Sequence, residues 1–259
     1  MYSTDATEGV CRLRADRRVR WLSSGWCGGF REACAAYNVG VPEGWPEVDL
    51  DAYADSRRER AGFDAPGPTL FTGVDTRHAR GARLNGVVCL ATAGVSNPAS
   101  LPMEPREAAE ATARADSPDP PPASSNAPPN APPDASSDDE PPGTVNVLLG
   151  AETPLTEGAL ASLLGVVVEA KTAALLAETG FPGTTTDAAV VGCPPGDDPD
   201  SFAGSATAVG GAARACVREA VRASLASRYA EDGWELPETV AAAEYGVVTD
   251  ERAAVFELG

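Results

Sequence analysis

Two rhythms of apolar positions run through this chain. Short runs rich in Val, Thr, Tyr and Ala, bounded by Gly, Pro, Asn or Ser, predict strands at Val19–Ser23, Tyr37–Val41, Thr69–Val74, Gly86–Ala93, Thr144–Gly150, Ala188–Gly192 and Tyr245–Thr249. Longer stretches with helical spacing predict helices at Gly28–Ala35, Leu50–Ala61, Thr156–Thr179 and Gly210–Ala230. In the third of these, Thr156 is placed to cap, and Leu160, Leu164, Val167 and Leu175 form one apolar stripe that also carries Lys171. At about 100° per residue, Glu169 lies roughly 200° around the helix from Lys171, beside Val166 and Leu176. Because the helix is apolar almost all round, both charges are expected to be at least partly buried. Strands and helices mix without a strict repeat, so the expected fold class is α+β or α/β, a mixed sheet covered by two long helices.

One stretch falls outside both rhythms. Residues Met103–Pro142 are mostly Pro, Ser, Ala and acidic residues, with no Val, Leu or Ile after Met103. Such a segment cannot bury enough apolar surface to offset its ordering entropy, and is expected to be a disordered insertion with at most a short helix near Arg106–Arg114. Residues 1–259 are then a single domain interrupted at 103–142, since the strand-like segments on its two sides need one another for a sheet.

Charge narrows the setting. The 259 residues carry 20 Lys plus Arg against 38 Asp plus Glu, a formal charge of -18, and Lys171 is the sole lysine. So acidic a surface argues against nucleic acid and anionic membrane as partners. Carboxylate excess with lysine depletion fits a halophile's protein, kept hydrated where salt screens self-repulsion. No window reads as a membrane span, and the polar N-terminus lacks the apolar core of a secretory signal, so a cytoplasmic protein is expected. Cys11, Cys27, Cys34, Cys89, Cys193 and Cys216 show neither CxxC nor zinc-finger spacing and read as reduced.

Candidate chemistry concentrates after the third helix. "TGFPGTTTDAAVVGC" stops that helix at Gly180, Pro182 and Gly183, then presents Thr184, Thr185, Thr186 and Asp187 before a strand. The same residues also suit a turn in which hydroxyls and carboxylate satisfy their own backbone. Lys171 has two readings as well: a cation that snorkels or pairs with a structural carboxylate, or a partly desolvated ammonium that serves as base or proton donor. His78 is the sole histidine, which rules out a His-based metal triad, and "SSGWCGG" lacks the P-loop pattern. Arg214, Arg218 and Arg222 form a stripe on the last helix that reads as a solvated face.

Taken in order, "RWLSSGWCGGF", "AAYNV", "TAGVSNP", "GTVNVLL", "VVEAKTAALL" and "GTTTDAAVV" resemble the adenosylcobinamide amidohydrolase family. The most specific parts are Glu169–Lys171 and Gly183–Asp187. The resemblance implies hydrolysis of the amide joining aminopropanol to a corrin side chain, releasing adenosylcobyric acid and 1-amino-2-propanol. It implies no cofactor, the cobalt being part of the small-molecule corrinoid substrate. Amide hydrolysis needs a nucleophile, a proton donor to the leaving amine and donors to the oxyanion. In one scheme Thr184 or Thr186 attacks, Lys171 moves the proton, and glycine N–H groups near Gly183 hold the oxyanion. In another, Asp187 or Glu169 activates water, with or without a divalent ion of unassigned ligands. Asn38, Asn97 and Asn146 are candidates for the corrin's peripheral amides, with Ser23, Ser24 and His78 as further substrate-binding candidates. A corrinoid carrier without turnover is the alternative, and oligomeric state is left open.

Overall fold

The computed structural model describes residues 1–42, 49–104, 143–230, 235–243 and 245–258. Strands β1 (Tyr2–Thr7) and β2 (Val10–Ser23) form a hairpin whose two-residue turn puts Glu8 and Gly9 at φ 50 and 72. Then come β3 (Gly29–Gly40), helix α1 (Leu50–Arg60), β4 (Thr69–Thr72), the β5–β6 hairpin (Arg80–Leu84 and Val87–Ala93) and β7 (Pro98–Ser100). The second half holds β8 (Val145–Ala151), helix α2 (Glu157–Thr179), β9 (Gly183–Thr184), β10 (Ala188–Cys193), helix α3 (Ala208–Tyr229) and β11 (Val247–Val248).

One sheet runs β4-β3-β2-β10-β8-β6-β5, with β1 also on β2, and β11-β7-β9 form a small second sheet. Only β3–β4 and β8–β10 are parallel within the large sheet, which makes it mixed, as expected. Alternation sorts its residues by face. Cys89, Ala91, Val147, Leu149, Ala189 and Val191 point to α2 and α3. Val88, Leu90, Leu148 and Val190 point the other way and meet Leu13, Trp21 and Leu70, so the β2–β3–β4 half folds over the β6–β8–β10 half. Gly192 is part of this closure, because a Cβ there would overlap the Trp21 ring. Helix α1 closes a third cluster with Tyr37, Val39, Phe63 and Phe71.

Helix α2 starts where its cap predicts: the Thr156 hydroxyl accepts from Ala159 N at 3.2 Å. Its stripe is buried at Leu160, Val167, Lys171 and Leu175, with Leu164 half-buried. By length and composition alone α2 could cross a membrane, contrary to the reading of the sequence, but one side of it is packed into the core.

Four expectations change. Gly28–Ala35 is not a helix: Cys27 and Gly29, at φ 46 and 98, turn the chain, and Gly29–Gly40 pairs along β2, so ladder hydrogen bonding overrides the helix propensity of Arg, Glu and Ala. The expected strand at Val19–Ser23 is only the end of β2, whose earlier part alternates buried Leu13 and Ala15 with half-buried Arg12, exposed Arg14 and exposed Asp16. Strands β1 and β5 went unpredicted. Tyr245–Thr249 reduces to Val247–Val248. From residue 105, the 103–142 segment and its expected short helix lie outside the described residues.

Candidate active site

Lys171 projects from α2 to the loop that connects β9 to β10. Its Nζ donates to Asp187 Oδ2, and both side chains are nearly inaccessible, at 7 and 11% exposure. Asp187 is surrounded by donors. Oδ2 also accepts from Thr184 N at 3.1 Å, while Oδ1 accepts from Thr184 Oγ1 at 2.5 Å and from Val145 N at 2.9 Å. With two hydrogen bonds on each oxygen, the carboxylate has little capacity left for a water proton. What it holds is the Thr184 hydroxyl, by a short charge-assisted bond.

The loop is fixed from outside as well. β9 pairs with β7 through Pro98↔Thr184 and Ala99↔Gly183. Asn97 accepts from Thr185 N on its main-chain oxygen at 3.2 Å and donates through Nδ2 to Thr185 Oγ1 at 2.5 Å. Thr144 Oγ1 donates to the Thr186 carbonyl at 3.0 Å. These contacts leave Thr184 buried, Thr186 half-buried and Thr185 exposed. Since the Thr185 oxygen already accepts from Asn97, its proton is free to donate outward. The amides of Thr184 and Thr185 are engaged by Asp187 and Asn97, so neither is free to serve an oxyanion. Nothing in the residue types distinguishes three consecutive threonines; the pairing with β7 and Asn97 does.

Other candidates divide. Glu169 departs from the expectation of burial: it is exposed and pairs with Arg214 at 3.2 Å, on the side of α2 away from Lys171. Its surroundings mislead at the sequence level because Val168 and Leu176 are also exposed, so the outer side of α2 is apolar without being covered. Arg214, Arg218 and Arg222 do form a solvated face, with Glu169, Glu219 and Glu178 as partners. Ser24 extends the β2–β10 pairing: its main-chain N donates to the Ala189 carbonyl at 3.0 Å, and its hydroxyl accepts from Ala189 N at 3.0 Å. Ser23 is buried and accepts from Gly25 N.

Asn38 and Asn146 meet between the two folded halves of the sheet. Asn146 Nδ2 donates to Asn38 Oδ1 at 2.8 Å and to the Phe71 carbonyl at 2.7 Å, and Asn38 Nδ2 donates to Thr92 Oγ1 at 2.8 Å. Asn146 also follows Val145, whose amide Asp187 holds, so this buried polar layer is tied to the Lys171 cluster through one peptide. The Oδ1 atoms of Asn97 and Asn146 are buried without a hydrogen-bond partner. His78 lies apart, with Nδ1 3.1 Å from Ser227 Oγ and Arg77 Nε donating to its Nε2 at 3.2 Å. Among the described residues no group of three His, Cys, Asp or Glu is arranged to hold a metal ion.

Comparison with known proteins gives the family. A family model described as adenosylcobinamide amidohydrolase matches residues 2–233. The chain is 45% identical, over 99% of its own length and 99% of the relative's, to a Halobacterium salinarum protein named adenosylcobinamide amidohydrolase. No solved structure matches it.

Proposed function

Since the chain belongs to the adenosylcobinamide amidohydrolase family and hydrolyses the amide of adenosylcobinamide in cobinamide salvage, we propose that Thr184 is its nucleophile and that Asp187 and Lys171 move the proton. The observation that carries this reading is the 2.5 Å bond from Thr184 Oγ1 to a carboxylate whose other oxygen is held by Lys171. Attack forms a bond from Thr184 Oγ to the amide carbon as its proton passes to Asp187. The Lys171 ammonium, bonded to the same carboxylate, donates a proton to the departing amine and recovers one through Asp187 as the carbon–nitrogen bond breaks. Water then hydrolyses the threonyl ester, releasing adenosylcobyric acid and restoring the hydroxyl. The outward Thr185 hydroxyl, aimed by Asn97, donates to the oxyanion. Corrin amides are the groups suited to the unpartnered Oδ1 of Asn97 and to the asparagine layer behind it. Cobalt enters with the substrate, and the chain's own residues supply every step.

Activation of water by Asp187 is the weaker scheme, because four donors already occupy that carboxylate, and Glu169 is on the wrong side of α2 for it. Hydroxylamine added during turnover should divert the threonyl ester to a cobyric hydroxamate detectable by mass spectrometry. Thr184→Ala should lower turnover by about a thousandfold or more while substrate still binds. Turnover by Thr184→Ala within severalfold of the parent, with no hydroxamate formed, would return the role to water.

A further inference from the structure

A cavity of about 910 Å³ opens where β3 and β4 end, between α1, the Asp75–His78 turn and the end of α3. Its charge runs against that of the molecule. The chain carries 38 acidic residues and 20 basic ones, whereas four arginines, Arg57, Arg60, Arg77 and Arg228, line the cavity with the single carboxylate of Asp75. Two of the guanidiniums are built in. Arg57 donates to the Glu8 carbonyl at 2.5 Å, in space left by Gly9, where a Cβ would overlap its Nη2. Arg228 is 2% exposed, and a Cβ on Gly94 would come within 2.9 Å of its Nε. Arg57 Nε is buried and has no hydrogen-bond partner, and neither Arg57 nor Arg60 forms an ion pair among the described residues. Elsewhere on this surface, arginines such as Arg214, Arg218 and Arg222 have a glutamate beside them.

We infer that this cavity is a binding site for an oxyanion-bearing small molecule, distinct from the Lys171 cluster. Guanidinium groups that line one recess match the multidentate acceptors of phosphate and carboxylate better than any neutral ligand. The volume exceeds that of a phosphate ion several times over, so the site has room for an organic portion beside the anion. Tyr53, which lines the same recess, gives that portion an aromatic surface. The wall between the two sites is thin: Gly94, against Arg228, donates its amide to the Thr144 carbonyl, and the Thr144 hydroxyl holds Thr186.

The test is binding of inorganic phosphate, and separately of adenosylcobyric acid as the carboxylate source, at constant ionic strength in potassium chloride. Equilibrium dialysis of the parent should show saturable uptake of at least one of them. Arg60→Gln/Arg77→Gln, which changes two exposed side chains, should weaken that uptake about tenfold or more, and the control Arg214→Gln/Arg222→Gln should not. Phosphate uptake lost in the first variant identifies a phosphate-bearing ligand; loss of adenosylcobyric acid uptake alone identifies a carboxylate. Hydrolysis at saturating substrate should stay within severalfold of the parent in both variants. Absence of saturable uptake of either anion, or equal uptake by the parent and Arg60→Gln/Arg77→Gln, overturns the inference. A fall in turnover as large as that of Thr184→Ala would show that the cavity is part of the hydrolytic site and overturn its independence.

Discussion

Lys171 sits in a confined space, its side chain only 7% exposed. A Cβ built on Gly183 would come within 3.4 Å of Nζ, and Asp187 Oδ2 receives the ammonium beside the Thr184 amide. A compact point charge fills that space; a planar guanidinium is larger, and holds its protons too firmly to relay one. Lys171→Arg and Lys171→Met should therefore each lower turnover by on the order of a hundredfold or more while the corrinoid's visible spectrum still reports binding. Normal turnover by Lys171→Arg would reduce the lysine to a structural cation. A second residue-scale expectation concerns alkali. Burial pushes the Cys11 thiol from its ordinary 9.0 up to about 12, and raises Cys89 likewise. The folded state thus favours the protonated thiol: this contribution is fully present below pH 9 and is lost as pH rises toward 12. Urea midpoints should fall between pH 8 and 11, and the fall should be smaller in Cys11→Ala. The sequence made the site legible only in part. Helical spacing placed Lys171 on the buried stripe and Glu169 away from it, and the run Gly183–Asp187 marked the loop. Which threonine faces Asp187 depends on hydrogen bonds that spacing does not encode.

At the scale of elements, the site depends on how closely α2 approaches the β9–β10 loop. Gly183 permits that approach, since a Cβ there would lie 2.8 Å from Asp187 Oδ2. Gly183→Ala should move the carboxylate and lower kcat by at least about tenfold, at a stability cost of about 1–2 kcal/mol in urea denaturation. Unchanged kcat in a folded Gly183→Ala protein would mean that the cluster tolerates displacement and is not poised for catalysis. Elements with a strong local signal were readable: α2 from its periodicity and threonine cap, α3 from its periodicity, β6, β8 and β10 from continuous apolar runs buried on both faces. Elements whose identity depends on partners were not. β3 was readable only from Tyr37 onward; its first half has a helix former's composition, yet it pairs along β2, and the first part of β2 is too rich in arginine to look like a strand until β1 and β3 take its edges.

For the whole molecule, the governing quantity is a formal charge of -18 with sequence pI near 4.4. Several arginines are already paired locally, as in Arg12–Asp5, Arg214–Glu169 and Arg222–Glu178, and exposed pairs of this kind contribute little, about 0–1 kcal/mol each. The remaining carboxylates repel one another over distances that pairing does not reach. Their repulsion extends about 10 Å at 0.1 M salt and about 3 Å at 1 M, so screening should remove most of it between those concentrations. The relative from Halobacterium salinarum fits that working condition. The melting temperature should therefore climb steeply from 0.1 M to molar potassium chloride. The climb should be shallower for a variant in which several exposed acids, among them Glu32, Glu59 and Asp64, are changed to their amides. Hydrolysis by the amidated variant should then persist at low salt, since none of these residues adjoins Lys171, Asp187 or Thr184. A melting temperature that stays flat in salt would mean that self-repulsion is negligible in the folded state, and the lysine depletion would need a cause other than salt.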